Sequence, residues 1–120
     1  MTNELNAFIA RHHPPIEVAL AEHLPLCRHA GAGRLNQALY AALFPGGKRM
    51  RPLLTLMGAR AAGVAPRAAM PAAAAIEYLH GSSLILDDMP AMDDATLRRG
   101  RAALHVAYGE GVAMLAALAL

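Results

Sequence analysis

Apolar positions along the chain recur at helical spacing, and no run alternates with a period of two. Leu5, Phe8, Ile9 and His12 mark a first helix that Pro14 and Pro15 are expected to stop, with a second helical piece over residues 16 to 23. Leu35, Leu39 and Leu43 repeat every four positions on one face of the next helix, which "FPGGK" ends. Pro52 suits a first helical turn, so another helix is expected from there through "LLTLMGARAA" to Gly63. Residues 72 to 88 predict a long, nearly all-apolar helix of the kind found at the centre of a bundle, ending before Pro90. "AALHVAY" and "EGVAMLAALAL" predict two more helices separated near Gly109. The pattern is all-α.

Composition narrows this. With 56% apolar residues, 17% charged and a net charge of +2, the 120 residues form a globular rather than a disordered chain. An excess of two cations is too small to argue for a nucleic-acid partner. Cys27 is the only cysteine, which excludes an internal disulfide and a cysteine-rich zinc site and fits a reducing compartment. "AAMPAAAAIEYLHGSSLIL" is interrupted by Pro71, Glu77 and His80, and "VAMLAALAL" is shorter than the roughly 20 residues of a membrane span. The first residues lack a signal-peptide pattern, so a cytoplasmic location is expected.

Charge is concentrated in "DDMPAMDDATLRRGR", residues 87 to 101. Such a stretch is either a solvated surface loop or a site for a ligand that carries both negative charge and metal. Asp87, Asp88, Asp93 and Asp94 offer hard oxygen donors of the kind Mg²⁺ takes together with substrate phosphate. Asp87 and Asp93 would diverge on a straight helix, and Pro90 removes that objection by breaking it. Arg98 and Arg99 have the fork geometry that fits phosphate oxygens, which makes a diphosphate the natural ligand. An EF-hand is excluded by its missing ligand positions and glycine.

A second cluster, "PGGKRMRP", sets Lys48, Arg49 and Arg51 on a glycine loop just before a helix start, ready for a second anion. It is not a Walker loop, since Gly-Lys-Ser/Thr is missing. His80, on a mostly apolar helix, is by itself either a hydrogen-bonded core residue or a ligand contact. His12 and His13 have no partner cluster and are expected at the surface. His105 and Glu110 are expected to be structural.

"GGKRMRP", "EYLHGSSLILDDMPAMDDATLRRGR" and "HVAYGE", in that order, resemble the first half of the trans-isoprenyl diphosphate synthases, the polyprenyl synthetase family. The wording is most similar to the bacterial geranylgeranyl diphosphate synthases of carotenoid pathways. The resemblance implies an all-α, isoprenoid-synthase-type bundle around a central cavity. It also implies a head-to-tail condensation of isopentenyl diphosphate with an allylic diphosphate: dimethylallyl, geranyl or farnesyl. On this resemblance Asp87 and Asp93 hold Mg²⁺ on the allylic diphosphate, Asp88 assists, and Arg98 grips the same diphosphate. Lys48, Arg51, His80 and Arg99 match the isopentenyl diphosphate site.

Ser82 and Ser83 are too small to stop a growing prenyl tail, and Tyr78 lies one turn deeper, roughly 5.4 Å on, which favours a C20 product. The family's second aspartate-rich motif does not occur in these residues. The expectation is therefore that residues 1 to 120 are the N-terminal part of one synthase domain, inactive alone and homodimeric in the complete enzyme. Farnesyl diphosphate synthase and a non-catalytic partner subunit of a complete synthase stay open as alternatives. A terpene cyclase also has an aspartate-rich motif but would not need "GGKRMRP".

Overall fold

The computed structural model describes residues 2–120, and the side chain of Thr2 is not considered. The described residues form six α-helices: α1 (Thr2–Glu22), α2 (Gly33–Leu43), α3 (Met50–Ala61), α4 (Met70–Asp88), α5 (Leu104–Tyr108) and α6 (Glu110–Ala119). Short 3-10 turns at Ala30–Ala32 and Pro66–Ala69 lead into α2 and α4. The only strands among the described residues are β1 (Leu97–Arg98) and β2 (Arg101–Ala102), paired antiparallel. The all-α expectation holds.

Two compact units make up this chain. The first is formed by the residues up to His23 together with Gly46–Glu77, and the second by Leu24–Pro45 with Tyr78–Leu120. In the first unit the fully buried side chains include Ile16 and Leu20 of α1 and Pro52, Leu53 and Leu56 of α3. In the second, Leu39 and Leu43 of α2, Ile85 of α4, Met89 just beyond it, and Ala113, Ala116 and Ala117 of α6 form one apolar cluster. The alanines let α6 approach α2 closely, and Leu35 and Tyr78 pack on the cluster's edge.

α1 corrects the expectation of a break at Pro14 and Pro15, because both lie inside one continuous helix. Each proline withholds one backbone donor, from the carbonyls of Ala10 and Arg11 four residues earlier. Both prolines are exposed, as are Ala10 and Arg11, which leaves those carbonyls on the solvent side, while Phe8 before them and Ile16, Ala19 and Leu20 after them stay buried on one stripe. Burial of that stripe outweighs two missing hydrogen bonds.

The other departures are smaller. α3 begins two residues before Pro52, which still occupies the donor-free first turn. α4 begins at Met70 rather than Ala72. Its apolar surface is partly open, with Leu79 63% exposed and Ile76 38%. Gly109, at φ 87°, separates α5 from α6 as expected. No described helix is long and apolar enough to cross a membrane.

Candidate functional site

The loop before α3 belongs to the first unit. Lys48 and Arg51 are exposed, but Arg49 between them is only 3% exposed. Its guanidinium donates from Nε and Nη2 to the two carboxylate oxygens of Glu17 on α1, at 2.5 and 3.2 Å. Nη1 donates to Oε1 of Glu77 on α4 at 3.0 Å. Burial disfavours the charged guanidinium, yet the hydrogen bonds and charges of Glu17 and Glu77 outweigh it and raise its pKa. The sequence had grouped Arg49 with Lys48 and Arg51 as an anion-binding cluster, and the structure corrects this: Arg49 is turned inward and spent on two carboxylates.

Backbone geometry goes with that inward turn. Arg49 stands at φ 52°, ψ 41°, in the left-handed region, at the N-cap of α3. A side chain at Gly46 would fall on the Arg49 guanidinium, so this position needs a glycine. Loop and guanidinium therefore fit only together.

The acidic stretch belongs to the second unit. α4 ends at Asp88, and the chain folds straight back over its last turn. The backbone N–H of Asp93 donates to the carbonyl of Asp87 at 2.9 Å, that of Ala95 to Asp88 at 3.1 Å, and that of Asp94 to Met89 at 3.1 Å. These bonds satisfy carbonyls that the helix end leaves without partners. They also set the backbone of Asp93 beside that of Asp87. Both of these aspartates are exposed, while Asp88 is 4% exposed.

Asp88 points the other way, to Arg98 on β1. Nε and Nη2 of Arg98 donate to its two oxygens at 2.6 and 2.7 Å, a bidentate pair. The hydrogen bonds that Arg98 donates to Asp88 raise its pKa, partial burial opposes them, and the charges of Asp88, Asp87 and Asp93 add to the rise. Asp87 and Asp93 thus lie in the field of the same guanidinium. Arg99 and Gly100 form the tip of the β1–β2 hairpin at φ 51° and 74°, as a tight two-residue turn requires. His105 Nε2 lies 2.8 Å from the carbonyl of Ala95 and ties α5 to this stretch, the structural role expected of it.

Arg49, Asp94 and Arg99 are the non-glycine residues with positive φ among the described residues, and all three fall in the two charged stretches. Left-handed backbone costs about 1–2 kcal/mol per residue and collects where a loop must hold one shape.

The remaining expected residues are spread along α4. His80 is half-buried, two turns before Asp87. Tyr78 is half-buried at the edge of the second unit's core, and burial raises its phenol pKa. Ser82 Oγ donates to the carbonyl of Ala117 on α6 at 2.7 Å, whereas Ser83 is exposed and donates to the carbonyl of His80 at 2.7 Å. The two serines face different sides. Of the four residues expected at a second diphosphate, Lys48 and Arg51 lie in the first unit and His80 and Arg99 in the second.

No group of three or more His, Cys, Asp or Glu side chains among the described residues is placed to hold a metal ion. The donor set that remains is two exposed carboxylates with adjacent backbones, Asp87 and Asp93. That fits Mg²⁺, which takes one or two protein carboxylates and completes its shell with phosphate oxygens and water. Sequence reasoning missed the Glu17–Arg49–Glu77 network. One signal was present: Glu77 stands alone among alanines and isoleucine, and a buried carboxylate there demands a cation.

Geranylgeranyl diphosphate synthase of Pantoea ananas is 57% identical over 81 residues, covering 66% of this chain and 26% of its own length. Farnesyl diphosphate synthase of Geobacillus stearothermophilus is 42% identical over 109 residues, covering 91% of this chain and 36% of its own length. A crystal structure of an FPP/GFPP synthase from Zymomonas mobilis superposes with a TM-score of 0.88 at 37% identity, over 99% of this chain and 42% of that one. This chain therefore spans about a third of the length of the curated relatives it matches. The family model for polyprenyl synthetase matches residues 33–120, which hold both charged stretches, and the chain belongs to the polyprenyl synthetase, or trans-isoprenyl diphosphate synthase, family.

Proposed function

We propose that this chain carries the diphosphate-binding residues of a Mg²⁺-dependent prenyltransferase that condenses isopentenyl diphosphate with an allylic diphosphate, of the geranylgeranyl diphosphate synthase type. The observation that carries the reading is the fold-back at the end of α4. It brings Asp87 and Asp93 together and leaves both exposed, while Asp88 is committed to Arg98.

In this reading Asp87 and Asp93 hold Mg²⁺ against the allylic diphosphate. An ion held there would draw charge from a departing pyrophosphate and so favour an allylic cation. Asp88 orients Arg98: a guanidinium has five N–H donors, Asp88 takes two, and others stay available to phosphate oxygens. Lys48 and Arg51 bind the second diphosphate, that of isopentenyl diphosphate. The apolar side chains of α4 exclude water that would quench the cation.

Turnover is measured in this chain extended by the C-terminal portion of a relative. Asp87→Ala or Asp93→Ala lowers turnover by orders of magnitude and spares isopentenyl diphosphate binding. Lys48→Ala or Arg51→Ala raises the isopentenyl diphosphate KM and changes the allylic KM less. Near-wild-type turnover in the aspartate variants would sink the reading.

Product length is the finer part. The small, exposed Ser83 favours the C20 product, and farnesyl diphosphate is the second reading, because a relative of that printed activity is 42% identical. Ser83→Phe is the variant of choice, since Ser82 faces α6 and a larger group there would disturb packing. Ser83→Phe shortens the product to C15, and an unchanged C20 product on chromatography refutes Ser83 as the stop.

A further inference from the structure

We infer that Arg49 is a positioning residue for diphosphate binding: its buried ion pairs with Glu17 and Glu77 fix the loop that presents Lys48 and Arg51. The inference rests on the assignment of Lys48 and Arg51 to a diphosphate. Three independent observations lead to it.

First, the guanidinium is nearly inaccessible, with its side chain 2% exposed, so it cannot itself meet a substrate. Second, its partners come from two other helices, 32 and 28 residues away in sequence, so the loop is pinned to α1 and α4 rather than to itself. Third, the loop is built around the side chain: Gly46 leaves room for the guanidinium, and Arg49 adopts left-handed backbone at the point where the chain passes from exposed Lys48 to exposed Arg51. A cation in the middle of a basic run also repels its neighbours, and two carboxylates beneath it remove that penalty from Lys48 and Arg51. The chain thus uses one cation of "KRMR" as an anchor and leaves two for the ligand.

Lysine at position 49 keeps the charge but cannot fork to both oxygens of Glu17 while reaching Glu77. The amide of Leu53 reports on the anchor, because its N–H donates to the carbonyl of Arg49 at 3.1 Å. Amide hydrogen exchange and isopentenyl diphosphate affinity by calorimetry are measured on Arg49→Lys, Glu17→Gln, Gly46→Ala and Lys48→Ala. The expected result for the first three is at least tenfold faster exchange at Leu53, less than threefold change at Leu56 one turn on, and roughly tenfold weaker binding.

Gly46→Ala supplies a control that needs no ligand. Its effect on Leu53 exchange is large in the natural chain and disappears in an Arg49→Ala background, because the clash is with the Arg49 side chain. Unchanged Leu53 exchange in Arg49→Lys and Glu17→Gln, or faster exchange with unaltered affinity, overturns the inference. Unaltered affinity in Lys48→Ala overturns the diphosphate assignment instead, and with it the positioning role of Arg49.

Discussion

In the loop before α3 the buried charge is Arg49, and its carboxylate partners come from α1 and α4, 32 and 28 residues distant. At the end of α4 the buried charge is Asp88, and its partner Arg98 is ten residues on. Both stretches commit one charged residue inward and leave its neighbours exposed: Lys48 and Arg51 in the first, Asp87 and Asp93 in the second. The difference lies in the depth of the anchor. Arg49 and Glu77 have side chains 2% and 9% exposed, whereas Arg98, facing buried Asp88, keeps 36%. A basic loop with long, hydrated side chains is held by remote elements, while the acidic stretch is held by a short fold-back and a local pair.

Breaking the deeper anchor has the largest effect. Arg49→Ala strands two carboxylates, one of them buried, and lowers stability by about 3 kcal/mol in urea unfolding. Asp88→Ala costs less, about 1–2 kcal/mol, because water takes over the partly exposed guanidinium of Arg98. Equal losses in the two variants would erase the distinction between a remote and a local anchor.

The sequence made α2 to α6 legible because each has a helical stripe and a breaker. It misled at Pro14 and Pro15, where local donor chemistry predicted a break that burial of Ile16 and Leu20 overrides. The β1–β2 hairpin was not visible, since two residues per strand leave no period to detect. The acidic stretch could be read as a group because its turn is signalled by Pro90. Which cation of "KRMR" turns inward could not, because that depends on Glu17 and Glu77, far apart in the chain.

Two smaller effects sharpen the comparison. Arg99→Gly relieves left-handed strain at the hairpin tip, offset in part by the unfolded-state entropy of glycine, for a gain of about 0.5 kcal/mol in the same unfolding assay. A loss of stability would show that Arg99 is held by contacts rather than by the turn. The smallest effect belongs to the first unit. Burial, with Arg11 and Arg60, lowers the pKa of His12 below its ordinary value of 6.5. The unfolded chain then takes up the proton first, so stability is full above about pH 6.5 and declines as pH falls through the interval down to the folded pKa. Unfolding midpoints of the natural chain fall slightly more over that interval than those of His12→Gln. Parallel curves would remove His12 as the cause.

The central claim is that the fold-back pairs Asp87 with Asp93, and not merely that the region is acidic. The most direct test is calorimetric binding of geranyl diphosphate in the presence and absence of Mg²⁺, to the natural chain and to Asp87→Asn, Asp93→Asn and Asp94→Asn. Asp94 is also exposed and its substitution changes charge by the same amount. The account predicts Mg²⁺-dependent binding that falls at least tenfold in Asp87→Asn and Asp93→Asn and stays near the natural value in Asp94→Asn. Equal weakening in all three variants, or binding indifferent to Mg²⁺, would contradict it.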